Sequence, residues 1–230
     1  MAASGAGGSR SSADAGIIEI RNDTNEAVGE FGILGINDVV FTPTDDEDSF
    51  KTSLLFSGIA PTLADHDGLF CVAQEPIDAG EIGKARVAGR TRVQVQVTAG
   101  LEWYGYADVT NSNTAVLTLL PAGAAQVLWK EDSNTNTTVW ADVRLGAPPG
   151  NVTARVKLDE TLNTASSAAA SFWDGDPLAD TGNDAEVCDG DANWHLMDTN
   201  GSFDANTAAV VTWMPVSRTW QLVSAACNTA

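Results

Sequence analysis

Between Lys84 and Thr98 the chain alternates strictly, as KARVAGRTRVQVQVT. Val87, Val93, Val95 and Val97 fall on odd positions, while Lys84, Arg86, Arg90, Arg92, Gln94 and Gln96 fall on even ones. A helix repeats every 3.6 residues and would scatter these valines around its axis; only an extended strand, with successive side chains on opposite faces, gathers them on one side. The stretch therefore predicts a strand with an apolar face turned in and a polar face turned out. If the strand is regular, Lys84, Arg86, Arg90 and Arg92 project the same way, which places four of the chain's twelve basic residues on one face. Gly89 marks a bend or bulge in the middle, and a bulge there would turn Arg90 and Arg92 to the other face.

The rest of the 230-residue chain repeats this texture in shorter pieces. Apolar runs near residues 17–20, 31–40, 54–56 and 69–73 are separated by Gly, Asn, Asp and Thr, the pattern of short strands joined by turns. Residues 127–129 and 139–145 flank a polar loop at 132–137 and read as a hairpin. Residues 208–214 and 218–223 make a second, terminal hairpin around Pro215-Val216-Ser217. Each carries a tryptophan on both strands: Trp129 with Trp140, and Trp213 with Trp220. Residues 114–120 fit either a strand or a short helical turn, and the Ala/Ser-rich stretch 162–172 predicts the one short helix. Ala147-Pro148-Pro149-Gly150 cannot continue a central strand and predicts a linker.

The expected fold class is all-β: a flexible arm over 1–15, a β-barrel or sandwich first domain over 16–147, and a small β second domain over 151–230 ending in the Trp hairpin. The arm is rich in Gly, Ala and Ser and has little to bury against its ordering entropy, so it is expected to be ordered only by a partner.

The chain carries 31 acidic against 12 basic residues, a net charge of −19. Nucleic-acid binding rests on neutralising phosphates with Lys and Arg, so a nucleic-acid partner is not expected. An anionic leaflet would be repelled in the same way, and no apolar stretch approaches the ~20 residues of a spanning helix, so no membrane partner is expected either. The N-terminal residues have no apolar core of the signal-peptide kind. Solubility at high copy number and a saline source both fit the charge.

Signals for chemistry are sparse. His66 and His195 sit in Asp-rich loops, and no nucleophile elbow, phosphate loop, dinucleotide fingerprint or HExxH is present. Asp174, Asp176, Asp180, Asp184, Asp189 and Asp191 cluster with Gly and Asn, followed by Asp198, Asn200, Ser202 and Asp204. Neither stretch has EF-hand spacing; they read as solvated loops, with a structural calcium as the alternative. No catalytic residue, cofactor or metal is expected. Cys71, Cys188 and Cys227 form no CxxC pair and read as reduced thiols, with a Cys188–Cys227 disulfide as the alternative. Most tryptophans sit in hairpins, where core packing is the default use; Trp140 shares a strand face with Asp142 and Arg144 and is the exception.

Several segments resemble a group of small β-domain proteins of tailed bacteriophages and prophages. They are Gly32-Ile33-Leu34-Gly35-Ile36, Gly58-Ile59-Ala60-Pro61-Thr62, Glu75-Pro76-Ile77, Gly80-Glu81-Ile82-Gly83, Val87-Ala88-Gly89, the hairpin from Gln126 to Gly146, and Arg218-Thr219-Trp220-Gln221-Leu222-Val223. The resemblance covers residues 17–146 well and the rest loosely. It implies a virion structural protein, assembled in the host cytoplasm: a capsid decoration (cement) protein, a head-fibre component or a tail-associated attachment module. Its partners would be other capsid or tail proteins and its own copies as a symmetric homo-oligomer. The alternative is a receptor- or glycan-binding adhesin or tail-fibre module. The candidate interface residues are Lys84, Arg86, Arg90, Arg92, Trp140 and Arg144. An adhesin is expected to show an exposed aromatic cluster with polar partners, and a decoration protein a flat contact face without one.

Overall fold

The computed structural model describes residues 15–98, 100–133, 135–146, 153–163, 166–174, 179–188, 202–214 and 217–225. The arm over 1–14, the proposed linker 147–150, His195, Cys227 and most of the Asp-rich stretch between 174 and 204 lie outside the described residues. The fold is all-β, as the alternation predicts.

The strands close into three five-stranded barrels. The first contains β1 (Ile17–Asn22), β2 (Ile33–Val39), β3 (Leu55–Ile59), β4 (Phe70–Ala73) and β5 (Ile82–Arg86). The second contains β6 (Gly89–Val97), β7 (Tyr106–Asp108), β8 (Val116–Leu120), β9 (Ala125–Lys130) and β10 (Thr137–Leu145). The third contains β11 (Thr153–Leu158), β13 (Ser167–Asp174), β14 (Ala179–Cys188), β16 (Ala208–Met214) and β17 (Thr219–Ala225). A two-stranded sheet of β12 (Leu162–Asn163) and β15 (Ser202–Phe203) accompanies the third.

Barrels one and two have the same connectivity. Taken in chain order, their strands follow one another around the ring as first, third, second, fourth, fifth, and the first and third are parallel. The third barrel is the same ring entered elsewhere. Its parallel pair is β14 with β17, and the cycle β14–β17–β16–β11–β13 reproduces the others with the chain starting at the fourth position. Read in its own order, β16–β11–β13–β14 is a Greek key, closed by β17. Closure leaves the three rings without a free edge, the exposed template that open sheets must guard.

Three sequence expectations are corrected. The stretch expected to be one barrel or sandwich over 16–147 forms two closed barrels. The single strand expected over 84–98 is two, because the chain bends at Val87-Ala88 and starts again at Gly89, whose φ of +90° suits a residue without Cβ. The helix expected over 162–172 is strand. Ala168, Ala170 and Phe172 are buried at period two and pack in the third core, and that burial outweighs the helix preference of alanine. Two short helices stand instead at α1 (Glu47–Thr52) and α2 (Leu63–His66). Asp46 caps α1 by accepting the Ser49 amide, with Glu47 and Asp48 in the positive first turn. The ambiguous residues 114–120 resolve as strand β8.

Barrels one and two share a core. In β4 every residue is buried, Phe70 and Val72 against the second barrel and Cys71 and Ala73 inside the first. A strand buried on both faces reads as a continuous apolar run, which is what residues 69–73 show. Val93, Val95 and Val97 point into the shared cluster, each fully buried, worth about 1.5–3 kcal/mol apiece relative to exposure. Hydrogen bonds cross the same seam: the Ile33 amide donates to the Thr114 carbonyl at 2.7 Å, and the Gly68 amide to Asp108 Oδ1 at 3.0 Å. The third barrel meets the second through Leu120 and Ala122, which join its buried cluster, and through aromatic edges. Trp103 packs on Phe172 with ring centroids 5.1 Å apart, and Trp220 Nε1 donates to the Tyr104 hydroxyl at 3.3 Å. Trp213 and Trp220 pair across the terminal hairpin and are buried, as their position predicts.

Candidate functional site

The outer face of β9, β10 and β6 carries four of the six groups that the sequence singled out, and one that it did not. Along β10 the side chains of Val139, Ala141, Val143 and Leu145 are buried, so Trp140, Asp142 and Arg144 face out. In register on β6, Arg92 stands opposite Asp142 and Arg90 opposite Arg144. Trp140 is 40 % exposed, in line with its sequence position.

Trp129 departs from expectation. Regular alternation from Ala125 through Val127 would bury it. The pairing of β9 with β10 instead skips one residue: Val127 lies opposite Val143 and Trp129 opposite Asp142, with Leu128 left over between them. This bulge reverses the parity of the strand and swings Trp129 outward, where it is 60 % exposed.

Phe31 completes the cluster from the first barrel. Its φ is +66°, left-handed backbone that a bulky residue enters at a cost of about 1–3 kcal/mol. The Phe31 amide donates to the Ala73 carbonyl at 2.9 Å, which anchors the position. The ring then meets Trp140 edge to face, with centroids 5.9 Å apart and planes at 89°. Phe31, Arg92, Trp129, Glu131, Trp140 and Asp142 line a groove of about 450 Å³.

The charges in the groove are not equally engaged. Arg90 forks onto Asp142, with Nε to Oδ1 at 2.7 Å and Nη2 to Oδ2 at 2.5 Å. That hydrogen-bonded guanidinium holds the Asp142 carboxyl below the usual aspartate range, with a smaller contribution from the charge of Arg92. Glu131 Oε2 accepts the Trp140 amide at 2.9 Å. The Arg92 guanidinium makes no hydrogen bond among the described residues, although it stands directly across from Asp142. Arg90, Arg92 and Arg144 against Asp142 and Glu131 leave this face positive on a chain of net charge −19.

Of the six candidate interface residues, Arg90, Arg92, Trp140 and Arg144 therefore share one face. Lys84 and Arg86 do not. They lie on β5 of the first barrel, where Arg86 Nη1 reaches the Ala15 and Ala88 carbonyls at 3.4 and 3.5 Å. The break at 87–88 separates the two pairs. Sequence reasoning missed Phe31 and Trp129. A positive φ has no signature at a phenylalanine, and a bulge shows only in the partner strand's register.

His66 is buried beneath Gly35, where an added Cβ would come within 2.3 Å of its ring. Its Nδ1 accepts the Thr62 amide at 3.0 Å. Cys71 and Cys188 are free thiols, and burial pushes that of Cys71 up to about 12. Among the described residues no group of three or more His, Cys, Asp or Glu side chains could hold a metal ion, and no helix is long and apolar enough to cross a membrane.

These features define an all-β protein of three closed barrels with an aromatic, arginine-lined groove on the second. No known protein family, curated protein or solved structure matches the chain.

Proposed function

We propose that this chain is a non-enzymatic binding module of a tailed-phage virion, and that it attaches through the groove on the second barrel. The observation that carries this reading is the cluster of exposed Trp129 and Trp140 with half-buried Phe31 beside Arg92. Exposed tryptophans are costly in water, and two local departures from regular structure, the bulge at Leu128 and the left-handed Phe31, assemble this cluster. Trp and Arg also dominate binding energy wherever partners meet. Both carboxylates of the groove are held by protein donors, an arrangement suited to fixing a ligand rather than to moving protons.

Among virion roles, the cluster favours a receptor-binding attachment module over a capsid decoration protein, which needs a flat face. The virion setting itself rests on the resemblance of residues 17–146. Display as a symmetric homo-oligomer would multiply weak single-site contacts by avidity. Antibody against the chain, imaged by immunogold on particles induced from a lysogen that encodes it, tests the setting. Excess purified chain should then slow adsorption of those particles to host cells. Gold absent from particles sinks the virion setting, and adsorption indifferent to the free chain sinks the attachment role.

A further inference from the structure

The groove's chemistry also points to a ligand class. Resting on the binding reading above, we infer that it takes a carboxylate-bearing saccharide, with Trp129 as the stacking face and Arg92 as the carboxylate fork. A pyranose ring has an apolar face of C–H groups and a rim of hydroxyls. Trp129, outward and 60 % exposed, offers a flat apolar surface of matching size, and Trp140 and Phe31, packed edge to face on each other, add to the apolar lining. The oxygens of Glu131 and Asp142 keep lone pairs for ring hydroxyls beyond those spent on the Trp140 amide and Arg90.

The charge of the groove selects an acidic sugar. Arg90 is committed to Asp142, whereas Arg92 presents five N–H donors in a planar array that fits a carboxylate with two parallel bonds. The surrounding chain is strongly acidic, so an anion is attracted here and repelled elsewhere. A phosphate polymer would overrun the small positive face and meet that repulsion. A folded protein partner needs ~800 Å² of contact on each side and would have to cover surface well beyond the groove. A short saccharide fits within it.

The test is calorimetric titration of the full chain with tetrameric oligouronates of galacto, gluco and manno configuration, each as the free acid and as the methyl ester. Esterification removes the charge and keeps the rings. At low salt at least one acid should bind at least about tenfold more tightly than its ester. Arg92→Gln should bring that ratio to about one while leaving ester affinity within roughly twofold, and Trp129→Ala should weaken both forms by at least about tenfold. Equal affinity for acid and ester, binding of none of the three acids, or a ratio unchanged in Arg92→Gln overturns the inference. Hexaglutamate bound through the same two residues, with no uronate bound, assigns the groove to an acidic peptide and overturns it too. If the oligouronates fail while the free chain still slows adsorption, the attachment role stands and only the ligand class falls. If both fail, both fall.

Discussion

At the scale of single residues, Phe31 sets stability against use. Its left-handed backbone would be relieved by glycine, while its ring contributes packing against the shared core and the edge contact with Trp140. The two effects oppose each other and are of similar size, on the order of 1–3 kcal/mol. Phe31→Gly should therefore shift the melting temperature by only a few degrees and still weaken groove binding by about tenfold. A large loss of stability with binding unchanged would assign Phe31 to the core alone. Asp142 allows a sharper check through pH. Its carboxyl is depressed in the fold, chiefly by the Arg90 hydrogen bonds. The pair's stabilisation is thus fully present above the ordinary aspartate range and is lost as pH falls through the depressed value. Asp142→Asn should melt slightly below wild type at pH 6, and the gap should close on acidification toward pH 3. A gap that widens with acid contradicts the assignment.

At the scale of elements, the bulge in β9 decides what the groove contains. Deleting Leu128 leaves Val127 opposite Val143 and Trp129 opposite Asp142, so Trp129 stays outward. In a regular β9, with Trp129 inward, the same deletion would throw it onto the other face. The tryptophan emission maximum and acrylamide quenching of the deletion variant should therefore match wild type. A red shift with increased quenching would show that Trp129 starts inside.

The same strand shows where a sequence stops being legible. The valines of β6 and the outward Trp140 of β10 follow from period two, because each strand has one wet and one dry face. The hairpins follow from their polar tips. The outward Trp129 does not follow, since parity along a bulged strand depends on its partner's register. The division of residues 84–98 between two barrels is hidden for a related reason: β5 and β6 keep the same alternation on either side of the bend. Alanines 168 and 170 mislead in the other direction, because small residues pack a narrow barrel as readily as they favour a helix.

At the scale of the whole molecule, three rings of one connectivity are joined differently. The first two share a hydrophobic cluster and should unfold together. The third takes Leu120 and Ala122 of the second into its own core and leans on it further through Trp220, Phe172 and Arg218. Arg218 donates from Nη2 to the Val109 carbonyl, beside the charges of Asp108 and Asp67, and burial lowers its pKa despite both. Asp67 is pushed up by burial first and by Asp108 second, and Arg218 tempers the rise. Removing that cation with Arg218→Ala should cost roughly 1–2 kcal/mol, since part of the junction is wet. The loss should fall on one ring: amide exchange should quicken over β11, β13, β14, β16 and β17 and stay unchanged over β1 to β10. Uniform acceleration would mean that the three barrels form a single cooperative unit.

If the second barrel's groove is the attachment face, adsorption by mutant particles depends on it. Particles carrying Trp129→Ala with Trp140→Ala should adsorb to host cells at least about tenfold more slowly, while the purified variant keeps its melting temperature within a few degrees. Normal adsorption by such particles, with the variant chain folded and incorporated, would contradict it.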